Sequence, residues 1–367
     1  MRRIVRLFSR IKYRFLLLIT FLRHYRNYIN GTTFYPEKER KSKYEIFIDF
    51  VMHIIKYGEL EESYFVLGID VKGVNFDDYL TYNQYVIRRD KLNLTQPVNY
   101  VCLLRNKSLF AIVGEKWGMP VLSDLAQIEN GEIKGLEGFT LRGLIEHYHH
   151  LFVKPIDGRK GEGIMGIDQE NGRMLLNGVE TTLSEVECRL QQLSNNKVLI
   201  VQKRIQQHPA IASFHAKSVN TLRVVTINHL YSSDPNDVVL VGAELRVGCG
   251  DSFTDNISAG GIKIGVNEDG LLQKYGFFRL PFGTKTTIHP DSKLAFENYP
   301  LPYYNETIHK CKLFHSMLKD IHLIGWDIAI TEDGPVFIEG NDSCGTDFQV
   351  FNGPMKQYYD RYLPEKK

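Results

Sequence analysis

Near its C-terminal end the chain carries GWDIAITEDGPVFIEGNDSCGTDF (325–348), where three oxygen-bearing side chains sit inside apolar runs. Strand alternation puts Asp327, Ala329 and Thr331 on one face and Trp326, Ile328 and Ile330 on the other. By the same rule Phe337, Glu339 and Asn341 share a face. Glu332-Asp333-Gly334 reads as a three-residue hairpin loop with glycine in the last, left-handed position. Such a hairpin sets Asp327 opposite Glu339, with Cβ atoms roughly 5 Å apart and Asn341 on the diagonal about 7–8 Å away. Like charges so placed repel, and a hard cation converts that repulsion into affinity. Two carboxylates and an amide oxygen, without His or Cys, suit Mg²⁺. The bland alternative is a solvated acidic hairpin. Charges placed within apolar strands, away from the turn, favour the metal.

A second stretch, LFVKPIDGRKGEGIMGID (151–168), holds Gly161, Gly163 and Gly166 in the spacing G-x-G-x-x-G. A dinucleotide fingerprint needs a strand, the glycine turn, and then a helix whose N-terminus meets the pyrophosphate. Here Ile-Met-Gly-Ile follows Gly163 and an Asn-Gly turn comes soon after, so the loop joins two strands. No G-x-x-x-x-G-K-[ST] is present. What remains is a hairpin loop whose glycines let backbone N–H groups approach phosphate oxygens. Beside it Lys154, at a strand end, reaches the same oxygens as a point charge. A mobile surface hairpin with a solvated lysine stays open from these residues alone.

The elements that must position these groups follow from the rest of the chain. A length of 367 residues with 43% hydrophobic and 24% charged residues allows two or three ordinary cores. A net charge of +2 excludes a nucleic-acid-binding surface spread over the molecule. The five cysteines are scattered and never spaced C-x-x-C, which argues against a disulfide framework or zinc site and for a reducing, cytoplasmic compartment. No apolar run is long enough to cross a membrane. Residues 1–30 hold eight cations and no acid, leaving −6 for the remainder. They read as a basic amphipathic helix ending near Asn30-Gly31, either lying on an anionic inner membrane or packed on the body of the protein.

Helices are expected over 44–57, 75–90, 106–117, 182–193 (opened by the Thr182/Glu185 capping pair) and 304–320. Strands are expected from Pro120 onward, at 151–156, 164–168 paired with 173–177 across an Asn-Gly turn, and at 197–205. Further strands are expected at 221–229, 238–247, 261–267, 271–279, 324–331 and 335–340. The class is α+β with mostly antiparallel strands, the wrong background for a doubly wound dinucleotide fold.

A lysine beside a Gly-rich hairpin, then SVNTLRVVTI (218–227), DNISAGGIKIGV (255–266), and last Asp followed by Glu-x-Asn, is an order of parts that resembles the ATP-grasp superfamily. Within it the chain resembles the sugar-transfer-associated ATP-grasp proteins of polysaccharide gene clusters, over roughly residues 100–350. The resemblance implies an ATP-grasp fold of two α+β subdomains gripping the nucleotide, after an N-terminal basic helix (1–30) and a small α-rich region (31–120). The grasp domain would span 121–360, divided into a nucleotide lid subdomain (121–205) and a metal and acceptor subdomain (206–360). It implies ATP and Mg²⁺ as cofactors. Lys154 is similar to the lysine on the α/β-phosphates, and Lys107 to an earlier phosphate-binding lysine. The loop from Asp157 and Gly158 through Gly161 to Gly163 looks like the lid over the phosphates. VQKRI looks like the hinge, with the backbone of Gln202, Lys203, Arg204 and Ile205 at the adenine edge. Arg223 is similar to the arginine on the γ-phosphate or acyl phosphate, and Asp327, Glu339 and Asn341 match the magnesium ligands. The hinge lacks its usual acidic residue, which leaves the ribose contact unassigned.

The implied reaction is amide formation from a carboxylate, ATP and an amine through an acyl phosphate, with Lys154 and Arg223 as its catalytic cations. A small-molecule or polysaccharide-precursor substrate is expected as partner, and no nucleic acid. His208, His215 and His289 are offered as bases that deprotonate the amine, and Ser343 and Cys344 as acceptor-pocket lining. SAGG (258–261) reads either as a cradle or as a bulged strand end. A phosphotransferase using the same nucleotide site, or a membrane-recruited scaffold without catalysis, are the competing classes.

Overall fold

The computed structural model describes residues 2–93, 99–135, 140–158, 163–278 and 284–362. Two compact units divide the chain. One comprises Met1–Lys91, Arg279–Lys285 and Gly345–Lys367; the other comprises Leu92–Phe278 and Thr286–Cys344.

The first unit is helical. The basic segment forms α1 (Arg2–Arg23) and α2 (Tyr25–Ile29), with a break at His24. Ser42 and Glu45 form a reciprocal cap on α3 (Lys43–Tyr57), and Gly58 ends that helix in the left-handed region at φ 71°. Phe21 of α1 meets Phe47 and Phe50 of α3 at ring distances of 5.5 and 5.4 Å. The helix expected over 75–90 is split. A single turn at Phe76–Asp78 precedes α4 (Tyr82–Asn93), because the side chain of Gln349 clamps the backbone at Leu80. It accepts from the Leu80 N–H at 2.8 Å and donates to the Leu80 carbonyl at 2.9 Å, bonds that no local sequence could announce.

The second unit opens with α5 (Cys102–Arg105) and α6 (Lys107–Lys116) and contains two antiparallel sheets. The first sheet has β1 (Asp124–Glu129), β2 (Glu132–Gly135), β3 (His150–Pro155), β4 (Met165–Glu170), β5 (Arg173–Leu176), β6 (Val179–Thr181) and β7 (Leu199–Lys203). They run in the order β2-β1-β7-β3-β4-β5-β6. Asn130-Gly131, Asn171-Gly172 and Asn177-Gly178 all turn with positive φ at both residues, as two-residue hairpins demand. Helices α7 (Leu141–Tyr148) and α8 (Leu183–Ser194) cover one face, burying Leu144, Ile145, Val186 and Leu190 against Leu151, Val153 and Val201.

After the short α9 (Pro209–Ala212) comes the second sheet. It comprises β8 (Thr221–Ile227), β9 (Val239–Val247), β10 (Ile262–Val266), β11 (Leu272–Phe277), β12 (Lys285–Thr286), β13 (Leu323–Thr331) and β14 (Gly334–Asn341), in the order β12-β11-β10-β9-β8-β13-β14. Its apolar face packs on α10 (Tyr304–Met317), where Trp326 stacks on Phe314 at 5.1 Å. The segment before β1 ties the sheets together. Phe337 donates its N–H to the Pro120 carbonyl at 2.7 Å and accepts from the Leu122 N–H at 3.2 Å. The chain ends, within the first unit, in α11 (Gln349–Asn352) and α12 (Lys356–Tyr362).

The C-terminal hairpin differs from its sequence reading in one respect. Thr331 pairs with Gly334, so the loop has two residues, Glu332 and Asp333. Ile328 pairs with Phe337 yet Asp327 pairs with Glu339, which leaves Ile338 as a bulge. The expected pairing of Asp327 with Glu339 therefore stands, by a different route. Phe337 and Glu339 do not share a face: Phe337 is fully buried beside Trp326, whose ring lies 5.4 Å away, while Glu339 is partly exposed.

Candidate active site

Opposite its apolar face, the second sheet carries a band of charge. Register places Asp327 between Glu339 and Arg223, Arg223 opposite Glu244, and Arg246 between Thr221 and Lys263. Nearly every charge in the band is paired. Arg223 grips Asp327 with two N–H groups, Nε on Oδ1 and Nη2 on Oδ2, the latter at 2.6 Å. Arg246 lies 3.8 Å from Asp327 and 2.8 Å from Glu244, which also meets Lys263 at 3.2 Å. Burial opposes charge on Asp327, but Arg223 and Arg246 outweigh it and hold the carboxyl well below the usual carboxylate range. Asn341 donates its amide to Asp327 Oδ2 at 3.2 Å and to Glu339 Oε1 at 3.3 Å, so the three side chains converge.

The first sheet presents a different face. Lys154 and Phe152 of β3 share it with Ile200 and Gln202 of β7. Lys154 is 8% exposed and, among the described residues, has no hydrogen-bond or ion-pair partner. Burial, and to a lesser extent Lys107, draw its ammonium pKa down to about 8, against the pull of Glu339, Asp124 and Asp327. Asp124 joins this face through another bulge, pairing with Gln202 while Ala126 pairs with Val201. It accepts from Ser108 and, at 2.9 Å, from Gln202. The Gln202 Oε1 is buried without a partner among the described residues.

Lys107 links the two faces. Asn106 caps α6 by accepting from the Leu109 N–H at 3.0 Å, which fixes Lys107 in the first turn. Its Nζ donates to the Gly158 carbonyl at 2.6 Å and lies 3.4 Å from Glu339. Gly163 adopts φ 74° beside Pro155, and Asp157 is exposed. Gly161 lies outside the described residues.

A sequence model of the family described as "Sugar-transfer associated ATP-grasp" matches residues 88–357. The chain belongs to this family. No curated protein matches in sequence. Among solved structures, an L-amino acid ligase from Bacillus licheniformis matches at 12% identity and TM-score 0.38, over 68% of this chain and 43% of its own. D-cycloserine synthetase matches at 13% and 0.39, over 72% and 68%. The D-Ala:D-Ser ligase of Enterococcus faecalis matches at 10% and 0.39, over 70% and 59%. The chain thus spans from under half to about two thirds of the length of these solved chains.

In this ATP-grasp protein the two carboxylates and the amide, Asp327, Glu339 and Asn341, fit the magnesium that the family implies. Its donor atoms are hard oxygens on one face, and one amide bridging both carboxylates shows that they converge within reach of a single ion. Turning the Asn341 amide over would present its oxygen in place of its nitrogen. The first-sheet face fits phosphate, since it offers a buried cation with no partner among the described residues.

In the stretch read from sequence as the hinge, Arg204 is engaged within the sheet. The Arg204 N–H is spent on the His150 carbonyl at 3.0 Å, and its guanidinium holds Asp168 at 2.9 Å. Two of the three offered histidines are buried and tied to the backbone. His215 bonds Ser218 at 2.9 Å and the Gly250 carbonyl at 3.0 Å; His289 bonds the Gly248 carbonyl at 2.9 Å and accepts from the Asp291 and Ser292 N–H groups. His208 accepts from the Ala210 N–H at the start of α9. Cys344 packs against the bare face of Gly325, where a Cβ would sit 2.6 Å from its sulfur and 3.4 Å from Arg223. SAGG is a tight turn in which Gly260 (φ 94°) folds Gly261 under the Asp255 carbonyl.

Sequence reasoning missed Asp124, Glu244, Arg246, Lys263 and Asp255. Asp255 accepts from the Thr221 N–H at 3.0 Å, and burial lifts its carboxyl to about 6. A usable signal existed in AELRVG and GIKIG, where charges interrupt apolar strands.

Proposed function

We propose that the chain is an ATP- and Mg²⁺-dependent, ADP-forming carboxylate–amine ligase acting through an acyl phosphate. Its acid is a sugar carboxylate or its amine an amino sugar, in a precursor of surface polysaccharide. The observation that carries this reading is the meeting, at Lys107, of a face with a cation unpartnered among the described residues and a face with convergent carboxylates. Lys154 and Lys107 hold phosphate oxygens, and Arg223 takes the γ-phosphoryl oxygens as charge shifts onto them. Asp327, Glu339 and Asn341 hold Mg²⁺, which neutralises phosphate charge when bound. A substrate carboxylate oxygen bonds the γ-phosphorus as the β–γ bridge breaks, giving acyl phosphate and ADP. The amine nitrogen then bonds the acyl carbon, phosphate leaves, and the amine loses a proton to solvent or base.

The test incubates pure protein with Mg·ATP, pooled uronates and amino acids, and hydroxylamine. Carboxylate-dependent hydroxamate with ADP and phosphate is expected. ADP with a phosphorylated product and no hydroxamate would make the protein a phosphotransferase.

A peripheral contact with an anionic inner membrane goes with this reading. Phe8, Ile11, Phe15 and Leu22 line one exposed seam of α1, and Tyr44, Ile48, Met52 and Ile55 line one on α3. No described helix is long and apolar enough to cross a membrane. Deleting residues 1–30 should release the protein from anionic liposomes in sedimentation, and unchanged pelleting would retire the contact.

A further inference from the structure

The metal-binding carboxylate of the proposed site is already occupied by the protein itself. Both oxygens of Asp327 are engaged by the Arg223 fork, Oδ2 also accepts from Asn341 at 3.2 Å, and Arg246 stands 3.8 Å from Oδ1. Glu339 faces Lys107 at 3.4 Å, and Lys154 is within electrostatic reach of both acids. Four cations thus surround two carboxylates. A divalent ion arriving alone must displace a charge-assisted, two-point pair from the carboxylate it needs.

The four cations are not equally tied. Arg246 is held by Glu244 through two N–H groups at 2.8 Å. Lys107 is held by the Gly158 carbonyl, and Lys154 has no hydrogen-bond or ion-pair partner among the described residues. Arg223 has Asp327 as its ion-pair partner, and it sits next to Asp327, Glu339 and Asn341 in the sheet. A polyphosphate would attract Lys154 first, because no hydrogen bond or ion pair among the described residues has to be broken. It would then offer Arg223 a replacement anion, and each charge released on one side would be taken up on the other.

We infer that the Arg223–Asp327 pair is a charge-exchange latch. It keeps free divalent metal off Asp327 and opens when a nucleotide polyphosphate takes Arg223, so that metal and nucleotide enter together. The inference rests on the proposed assignment of Asp327, Glu339 and Asn341 as metal ligands, and it adds an order of events to that site.

The test uses Mn²⁺ as the probe, followed by the electron paramagnetic resonance of the free ion, in the full chain with and without a non-hydrolysable ATP analogue. The wild type should bind Mn²⁺ weakly alone and tightly with the analogue. Arg223→Gln should bind Mn²⁺ alone roughly tenfold or more tightly than the wild type, since one opposing charge and the fork are gone. Arg223→Lys, which keeps the charge and loses the fork, should fall between them and serves if the glutamine variant folds poorly. In melting experiments Mg²⁺ alone should raise the Tm of Arg223→Gln and leave that of the wild type unchanged. Adding Glu339→Gln to Arg223→Gln should erase the gain, placing the ion on Asp327, Glu339 and Asn341. The latch is overturned if the wild type binds Mn²⁺ equally well without the analogue. It is overturned equally if neither arginine variant gains affinity while the wild type still takes up Mn²⁺ with the analogue, and that result leaves the site itself intact. Failure of the wild type to bind Mn²⁺ even with the analogue would instead remove the metal assignment.

Discussion

The two sheets of the second unit are built alike and charged differently. Each buries one face under helices and turns the other into a polar surface. On the first sheet the central cation, Lys154, is buried and has no hydrogen-bond or ion-pair partner among the described residues; on the second, Asp327, Arg223, Glu244, Arg246 and Lys263 neutralise one another in a strip. An unpartnered charge is ready to bind and costs stability until it does. A paired charge costs less and must be prised open. The comparison teaches that a site can divide these roles, with one surface attracting the ligand and the other responding to it.

The largest effect should come from breaking the paired surface. Asp327→Asn leaves Arg223 buried without its counter-ion and should destabilise the chain by about 3–5 kcal/mol in urea denaturation. Glu339→Gln removes a carboxylate that is only partly buried. It should leave the circular dichroism intact while abolishing Mg-dependent turnover, and normal turnover would sink the metal assignment.

The unpaired surface should respond in the opposite sense. Lys154→Met should weaken nucleotide binding by roughly two orders of magnitude, as a lost charge-assisted phosphate contact implies. At neutral pH the same change should stabilise the protein by on the order of 2–3 kcal/mol. The sign follows from the ammonium, whose pKa falls from 10.5 to about 8 on folding. Between those values the unfolded chain binds more protons, so wild-type stability rises with pH across the window. The advantage of the methionine variant should be full below pH 8 and gone above 10.5; an advantage that does not change with pH would mean that packing, not charge, is responsible.

A smaller effect tests whether pairing alone distinguishes the surfaces. The first sheet does hold a half-buried ion pair, Asp168 with Arg204, at the end of β7. Asp168→Asn should cost about 1–3 kcal/mol and leave Mn²⁺ binding with nucleotide unchanged. Loss of metal binding there would show that the Asp168–Arg204 pair is coupled to Asp327, Glu339 and Asn341.

Much of this was legible in the sequence, for reasons that also mark where legibility stopped. Alternating runs with charges inside them gave most strands of both sheets, though not β2, β6 or β12, and the pairing of Asp327 with Glu339. Lys154 was readable as a strand-end lysine beside a hairpin loop, because the turn residues that follow exclude a helix. Two further Asn-Gly hairpins, at 130–131 and 177–178, were equally readable and fix the rest of the first sheet. Parity was not readable. Bulges at Leu125 and Ile338 reverse which side the chain faces, so Asp124 went unseen and Phe337 was placed with Glu339. Nor was the partner of Asp327, since Arg223 lies 104 residues away and an isolated arginine in an apolar strand does not name its acid.

The bulge at Ile338 also bears on how this hairpin can change over generations. Its turn end is solvent-exposed at Glu332 and Asp333, so a residue gained there projects outward and leaves both halves of β14 where they were. A residue gained or lost between Phe337 and Glu339 is another matter. It must either be absorbed by the kink or trade the aromatic for the acid, sending a carboxylate against Trp326 and a phenyl ring into the charged strip. Length variation among descendants of this chain should therefore collect at the tip of the hairpin and be purged five residues further on.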